Sequence, residues 1–178
     1  MVPALESLTK GPLDNMNQPF IPITIKSCME GTSCTAVFLE SPSKSFTIFI
    51  GSPEGEALNR AVLNEPLPRP MTHDLVGSLL MGFGISIKKA IVNQIVEGAF
   101  CAILILERVG SDGLRNEVHL DCRPSDAFVL SALHQFPLFA SQEVLDEVVD
   151  VKIEDFIPEE NLTDLPKFPE LDIDEEKE

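Results

Sequence analysis

Two stretches of this chain repeat each other, and the repeat limits what the chain can fold into. Residues 29–40 match residues 96–107 at a constant offset of 67, with Glu, Gly, Cys, Leu and a final Glu at the same positions. The flanking segments match as well: residues 22–26 with 89–93 at the offset of 67, and residues 50–63 with 120–133 at an offset of 70. Matches on both sides of one loop, which would be three residues longer in the second copy, favour a duplicated unit over chance similarity between two β-rich stretches.

Each copy has the pattern of three strands followed by two helices. Two β-rich runs meet at a Glu-Gly turn, as in a hairpin, and a third strand follows. A helix then begins at a proline, which the first helical turn tolerates, at Pro53 in one copy and at Pro124 in the other. A second short helix follows, for which Thr72 and Ser141 are the expected N-caps.

The sequence therefore predicts an α/β (α+β) domain in which a duplicated β3α2 unit forms a single curved, barrel-like mixed sheet flanked by helices. The domain is expected at residues 20–153, with repeat one at 20–84 and repeat two at 85–153, after an N-terminal extension at 1–19. Residues 154–178 are acidic, proline-bearing and aperiodic. They are expected to form a flexible or loosely docked tail.

The formal charge of −16 is unevenly distributed along the chain. Residues 1–140 carry 10 basic and 14 acidic side chains, whereas residues 141–178 carry 3 basic and 15 acidic ones. A body this close to neutral can contact phosphate locally, although it lacks the basic stripe of a strong nucleic-acid binder. The chain has no Trp or Tyr, which argues against the aromatic platform of general single-strand binders.

Signals for a membrane or an oxidising compartment are absent from the sequence. No apolar run reaches the roughly 18 residues needed to cross a bilayer, and the start lacks the basic flank and apolar region of a signal peptide. The four cysteines (Cys28, Cys34, Cys101 and Cys122) form no CxxC pair. We expect a cytoplasmic protein without a membrane partner, whose thiols are reduced and mostly buried.

Two polar residues lie at the start of the second helix of repeat one. His73 and Asp74 fall in its first turn, where unpaired backbone N–H groups favour an anion. Asp74 alone would be a routine first-turn acid, and His73 alone would usually be an exposed helix residue. The pair is therefore a candidate site only in combination with other groups.

A second polar group lies where the third strand of repeat two runs into a helix, and it consists of Asp121, Arg123, Ser125 and Asp126. The guanidinium of Arg123 offers a planar fork for phosphate or carboxylate. A capped turn with an internal Asp121–Arg123 pair would be the structural alternative. The matching turn of repeat one keeps Glu56 opposite Asp126 but has no arginine, and this asymmetry favours a functional role.

The strand before this turn places Glu117, His119 and Asp121 on one face by simple alternation. Such a trio could bind a metal, although a solvated strand face is the more common reason for the pattern. The sequence contains no serine-hydrolase elbow, P-loop or dinucleotide-binding fingerprint.

Several motifs together resemble the bifunctional nuclease domain, a family found in bacteria and plants. They are Pro70-Met-Thr-His-Asp-Leu-Val, residues 91–107 with their Glu-Gly turn, Leu120-Asp-Cys-Arg-Pro-Ser-Asp-Ala, and residues 136–145. The hallmark of the family is a segment like Asp-Ala-Arg-Pro-Ser-Asp-Ala before a helix, and Cys122 stands here at the second position, in place of its alanine. The resemblance covers roughly residues 20–149.

The resemblance implies a wedge-like α/β fold, a homo-oligomer, and hydrolysis of DNA and RNA without strong sequence preference. At the positions it points to, residue chemistry predicts His73, Asp74, Asp121 and Asp126 as catalytic residues and Arg123 and Ser125 as substrate-binding residues. Asp121 and Asp126 are the candidate ligands of a divalent Mg or Mn ion that would assist hydrolysis.

Two other kinds of function fit the same sequence. The acidic composition and the lack of Tyr and Trp are also typical of a non-catalytic regulatory or protein-interaction module of the same fold. A purely structural oligomer is the third reading, which the asymmetry between the two polar turns disfavours.

Overall fold

The computed structural model describes residues 19–156 and Phe168. In that part of the chain there are seven strands, four α-helices and a short 3₁₀ helix at Ile153–Asp155. The strands are β1 (Ile21–Glu30), β2 (Cys34–Glu40), β3 (Ser45–Gly51), β4 (Ile85–Val96), β5 (Ala99–Val109), β6 (Arg115–Cys122) and β7 (Leu138–Ala140). The helices are α1 (Ser52–Leu63), α2 (Thr72–Gly82), α3 (Pro124–His134) and α4 (Gln142–Glu147).

The strands form one mixed sheet in the order β3-β2-β1-β7-β4-β5-β6. Neighbouring strands are antiparallel except β4 and β7, which run parallel. The mixed α+β class and the flanking helices are therefore confirmed. The sheet is open, with β3 and β6 at its edges, so a barrel-like closure is not confirmed.

The short strand β7 lies in the centre of the sheet, between the two predicted helices of repeat two, where the sequence analysis predicted no strand. It pairs with β1 on one side and with β4 on the other, and thereby joins two three-stranded groups. Three residues are too few to give a period-2 pattern that sequence analysis can recognise.

The helices cover one face of the sheet, and the alternation of the strands sends apolar side chains to that face. Val37 and Ile48 from the first group, and Ala102 and Leu104 from the second, join residues of α1, α3 and α4 in the main core. The intervening residues point to the opposite face, where a smaller cluster contains Ile91, Ile103 and Ile105. The strands β4 and β5 therefore bury apolar side chains on both faces of the sheet.

Sheet register gives a different alignment of the two halves from the one expected. Thr35 pairs with Ile50, while Ala102, which matches Thr35 at the offset of 67, pairs with Cys122. The downstream offset is therefore 72, not 70, and the second loop is five residues longer than the first, not three. The duplication itself stays a prediction, and under this register Glu54 corresponds to Asp126.

The helix termini largely follow the expected local chemistry. Both α1 and α3 have proline within their first two residues, and Ser141 accepts a hydrogen bond from the backbone N–H of Val144, as expected of an N-cap. The N-cap of α2 is Met71 instead of Thr72, and the Asp74 carboxylate accepts the Met71 backbone N–H at 2.7 Å. The expected cap was therefore one residue too late.

Other expectations concern the thiols, the membrane and the tail. All four cysteines are free, but only Cys28 is buried. None of the helices in the described residues is long and apolar enough to span a bilayer.

Two phenylalanines of the expected tail contact the domain. The Phe156 ring packs against the Phe38 ring in a tilted arrangement with ring centroids 5.7 Å apart, and Phe168 packs against the main core. The remainder of the tail, like the N-terminal extension up to residue 18, lies outside the described residues.

Candidate active site

Four side chains from the first turns of three helices meet on the surface and form what we call the polar cluster. They are Glu54 of α1, His73 of α2, and Arg123 and Asp126 at the start of α3. The Arg-Pro-Ser-Asp segment places Arg123 at the N-cap and Asp126 at the third helical position. The long linker after α1 brings the first turn of α2 to the same place, although His73 and Asp126 are 53 residues apart.

Arg123 is the centre of the polar cluster. Its Nε donates to Asp126 Oδ2 at 3.0 Å, its Nη2 to Asp126 Oδ1 at 3.2 Å, and its Nη1 to Glu54 Oε1 at 2.8 Å. These hydrogen bonds raise the pKa of Arg123, the one to Asp126 most strongly. A guanidinium has five N–H donors, so two remain for a ligand. The side chain is 64% exposed, which leaves that edge open to solvent.

The contact between His73 and Asp126 determines which nitrogen of the His73 ring donates a hydrogen bond. Burial would raise the pKa of Asp126, but hydrogen bonds and charges from Arg123 and His73 outweigh it and lower that pKa below its usual value. Asp126 is therefore ionised at neutral pH and can only accept hydrogen bonds. His73 Nε2, 3.1 Å from Asp126 Oδ1, must then be the donor, and Nδ1 of a neutral His73 carries the free lone pair.

Helix geometry explains why acids occur in this cluster. Glu54 and Asp126 each lie at the third position of their helix, where unpaired backbone N–H groups give the helix end a partial positive charge. His73 lies at the second position of α2. Three helix N-termini therefore face one small region, and their fields favour negative charge there, whether it is a carboxylate or a bound phosphate.

Asp74 points away from the polar cluster, although it follows His73 directly. Its carboxylate caps α2 through the Met71 backbone, and it lines a cleft of about 280 Å³ between α1, α2 and the end of α3. Arg60 and Arg69 line the same cleft. Asp74 and His73 were predicted together as catalytic residues, and the structure gives each a different set of neighbours.

Asp121 and Ser125 also lie outside the polar cluster. Cys122 pairs with Ala102 of β5 and faces the main core. Because side chains alternate along a strand, Asp121 points to the other face of the sheet, where its cross-strand partner is Ile103. The structural alternative, an internal Asp121–Arg123 pair, is not the one present: Arg123 pairs with Asp126 and Glu54. Ser125 is only 5% exposed within the first turn of α3. Their catalytic and binding roles stay predictions.

The residues expected to hold a divalent metal do not form a donor set as they stand. No group of three or more His, Cys, Asp and Glu side chains is close enough for a metal in the described part of the chain. Both oxygens of Asp126 accept from Arg123, and one of them also contacts His73. Asp121 pairs with Ile103 in the sheet and makes no contact of this kind with Asp126, and the metal role of the two residues stays a prediction.

Sequence analysis missed three residues of this region. Glu54 contacts Arg123, but the expected offset of 70 drew attention to Glu56 instead. The correct register, or the shared third position in the helix, would have found it. Arg60 and Arg69 carried no motif, and only the packing of α1 against the linker brings them together.

The fold and the polar cluster define a mixed α+β domain whose helix N-termini present an arginine, a histidine and two carboxylates at one surface. A family profile of the bifunctional nuclease domain matches residues 37–152, most of the described part. The chain belongs to the bifunctional nuclease domain family.

Two further similarities come from Mycobacterium tuberculosis. Uncharacterized proteins of strains CDC 1551 / Oshkosh and ATCC 25618 / H37Rv are each 31% identical to this chain over 98 residues. The match covers 55% of this chain and 55% of each relative, so it spans about half the length of these curated relatives.

Proposed function

We propose that this protein is a nuclease that hydrolyses phosphodiester bonds of DNA and RNA with little sequence specificity, and that the polar cluster is its reaction centre. The observation that carries the proposal is the His73–Asp126–Arg123 contact. It joins an oriented histidine and an exposed guanidinium at one place. Membership of the bifunctional nuclease domain family supports the same reaction class.

In the proposed mechanism, His73 is the general base. Asp126 accepts from Nε2 and holds the tautomer in which Nδ1 is free to take a proton from water. The resulting imidazolium is stabilised by the ionised carboxylate. The attacking oxygen bonds to phosphorus as the bond to the leaving oxygen breaks, and the leaving oxygen takes a proton from solvent.

Arg123 is the proposed phosphate ligand. Its two uncommitted N–H groups can bind two oxygens of one phosphate, and they lie at converging helix ends that favour the charge developing in the transition state. In the cleft that Arg60 and Arg69 line together with Glu65 and Asp74, the two arginines would contact other phosphates of the strand. Backbone-directed contacts of this kind carry no base readout, which is consistent with low sequence specificity.

The test is cleavage of plasmid DNA and of single-stranded RNA, each with chelator, with Mg²⁺ and with Mn²⁺. We expect the wild-type protein to cleave both substrates. Asp126→Asn should lower kcat by on the order of 10²–10⁴, because the amide no longer fixes the tautomer of His73. Asp146→Asn, a matched acid-to-amide change on α4, should retain wild-type activity.

Two outcomes contradict different parts of the proposal. If Asp126→Asn retains full activity while its unfolding midpoint is unchanged, the reaction centre lies elsewhere. If the wild-type protein cleaves neither substrate with any metal, the non-catalytic regulatory or protein-interaction module is the better description. The comparison of chelator, Mg²⁺ and Mn²⁺ also tests the metal role proposed for Asp121 and Asp126.

We also propose, from the family resemblance and the sequence, that the protein is a cytoplasmic homo-oligomer with nucleic acid as its substrate. Its exposed apolar side chains are consistent with association: Met71, Leu75 and Leu79 recur every four residues along α2 and are all exposed. Sedimentation of the purified chain over a concentration series tests the oligomer.

A further inference from the structure

The two edges of the sheet differ in how they are protected. At the β3 edge, the C-terminal segment reaches back, so that Ser45 accepts the backbone N–H of Val151 and donates its own N–H to Asp150. At the other edge, β6 pairs only with β5 in the described residues. The outer backbone groups of β6 are therefore available to another strand.

The β6 edge also lacks several of the features that usually prevent pairing, although it carries charged side chains. Its eight residues match β5 without a register shift, whereas the β1–β2 and β4–β5 ladders each contain at least one. It contains no lysine and no proline. Val118 and Leu120 on its helix-side face are 54% and 48% exposed. A regular, partly apolar edge strand of this length is a template for strand addition.

The charges on β6 identify which strand would fit. Its other face carries, in order, Arg115, Glu117, His119 and Asp121, because these alternate with Asn116, Val118, Leu120 and Cys122. Along this face, a basic residue, an acid, a histidine and a second acid follow one another. An antiparallel copy of the same strand presents the reverse order, so the pattern is complementary to itself.

We propose that β6 pairs antiparallel with β6 of a second copy of this chain, with Val118 opposite Val118 on the two-fold axis. Arg115 then faces Asp121 of the second copy, and Glu117 faces its His119, each pair occurring twice. Cross-strand pairs of opposite charge are stabilising. On the other face, Leu120 lies opposite Asn116 of the second copy, and the two sheets become one continuous sheet.

Neighbouring registers are disfavoured by the same charges. A pairing centred on Glu117 places two glutamates opposite each other, and a pairing centred on His119 places Glu117 opposite Asp121 twice. Like charges directly opposite are destabilising. Centres on Asn116 or Leu120 avoid these repulsions but give only two pairs of opposite charge within the strand, whereas a centre on Val118 gives four, so the charges favour Val118.

This pairing would also reach the polar cluster. Continuing the same register, the residue opposite Arg123 is Gly113 of the second copy. The loop between β5 and β6 of one copy would therefore lie beside the exposed edge of the guanidinium in the other. The inference does not depend on nuclease activity, since it rests on the edge and its charges alone.

The test uses two charge reversals that should fail separately and succeed together. Arg115→Glu places acids opposite acids in a homodimer, and Asp121→Arg places arginines opposite arginines. Each should weaken dimerisation by about tenfold or more, since two attractive pairs become repulsive. In a mixture, Glu at 115 faces Arg at 121, and Asp121 faces Arg115, so a heterodimer should form with near wild-type affinity.

Native mass spectrometry and sedimentation equilibrium measure these species, because the two variants differ in mass. Arg108→Glu is the control, since this exposed arginine lies on β5, one strand in from the edge. It should dimerise as the wild type does. A heterodimer that forms only from the two complementary variants establishes both the edge and the register, and a general loss of folding cannot produce it.

Three results would overturn the proposal: a wild-type chain that stays monomeric at high concentration, single variants that dimerise as well as the wild type, or a mixture that gives no heterodimer. A dimer that dissociates with Leu75→Lys on α2 and not with the β6 variants would place the interface on the helix instead.

Discussion

Arg123 binds carboxylates within the protein and is the proposed ligand of a phosphate, and both interactions use the positive charge of its guanidinium. Three of its N–H groups bind carboxylates from the two halves of the chain, so the side chain ties α1 to α3. The same carboxylates neutralise the charge that a phosphate would need. Because the side chain is largely exposed, solvent screens both effects, and removing one carboxylate should shift the balance without unfolding the protein.

Glu54→Gln should therefore tighten phosphate binding. The amide oxygen can still accept from Arg123, but the opposing charge is gone, and we expect the dissociation constant for inorganic phosphate to fall by about two- to fivefold at low salt. Glu56→Gln on the same helix removes the same charge without the contact. Equal effects of the two variants, measured by calorimetry, would mean that Arg123 is not the phosphate ligand.

Two thiols, the buried Cys28 and the partly buried Cys122, give the protein a pH dependence of its own. Burial raises the pKa of Cys28 to about 12, with a further rise from Glu30. Burial also raises the pKa of Cys122 to about 12, with Asp126 and Asp121 adding to the effect. A group whose pKa is raised by folding stabilises the folded state fully below its unfolded pKa, and that stability is lost as the pH rises towards the folded value.

We therefore expect the free energy of unfolding to fall between about pH 9, where unfolded thiols ionise, and about pH 12. The chain has no Tyr or Trp, so thiolate absorbance near 240 nm can be followed without overlap from these residues. At about pH 10, the native protein should show no more than two of its four thiolates, and the denatured protein all four. Four thiolates in the native protein at that pH would contradict the assigned burial.

At the scale of elements, α1 approaches the sheet closely at one glycine. A Cβ at Gly55 would lie 2.0 Å from Thr35 Oγ1 and 2.5 Å from its Cβ. Thr35 is buried in β2, so it has little room to move. The absence of a side chain at Gly55 therefore sets the distance between α1 and the sheet, and with it the position of Glu54 one residue earlier.

Gly55→Ala should lower the free energy of unfolding by about 1–3 kcal/mol, because the overlap with Thr35 outweighs the better helix propensity of alanine. Gly82→Ala is the matched control, since a Cβ at the last residue of α2 meets nothing within 4 Å. That variant should stay within about 0.5 kcal/mol of the wild type. Equal urea midpoints for the two variants would contradict the close approach.

Elements with a strong local signal were predictable from the sequence, and contacts between distant segments were not. The helices that begin at a proline and the Glu97-Gly98 hairpin follow from local chemistry. Glu97 and Gly98 both have positive φ angles, as the two central residues of a type I′ hairpin turn do. The strand β7 pairs with β4 at residues 48 apart in the chain, and Glu54 contacts Arg123 at a separation of 69, so both depend on how distant segments pack together. A single sequence carries no direct signal for such pairs.

At the scale of the whole molecule, the charge distribution is the strongest asymmetry. Beyond Phe156, which anchors the C-terminal segment on Phe38, residues 157–178 hold nine acids and two lysines. The polar cluster and the cleft with Arg60 and Arg69 are the places where such a segment could compete with nucleic acid. A solubilising segment without contact to these residues is the alternative.

We expect that a chain ending at Phe156 binds DNA and RNA more tightly than the full-length chain, and that the difference is largest at low salt, where charges are least screened. Removing a competing anion should also make the logarithm of the binding constant fall more steeply with the logarithm of salt concentration, because more counterions are released from the nucleic acid on binding. The measurement is a salt series of binding constants for both chains with one oligonucleotide.

The control is a full-length chain whose nine acids after Phe156 are changed to the corresponding amides, which keeps the length and the Phe168 contact with the core. If truncation tightens binding and the amide variant does not, the segment acts by steric cover. If neither changes affinity or salt slope, its charge does not compete at the candidate site.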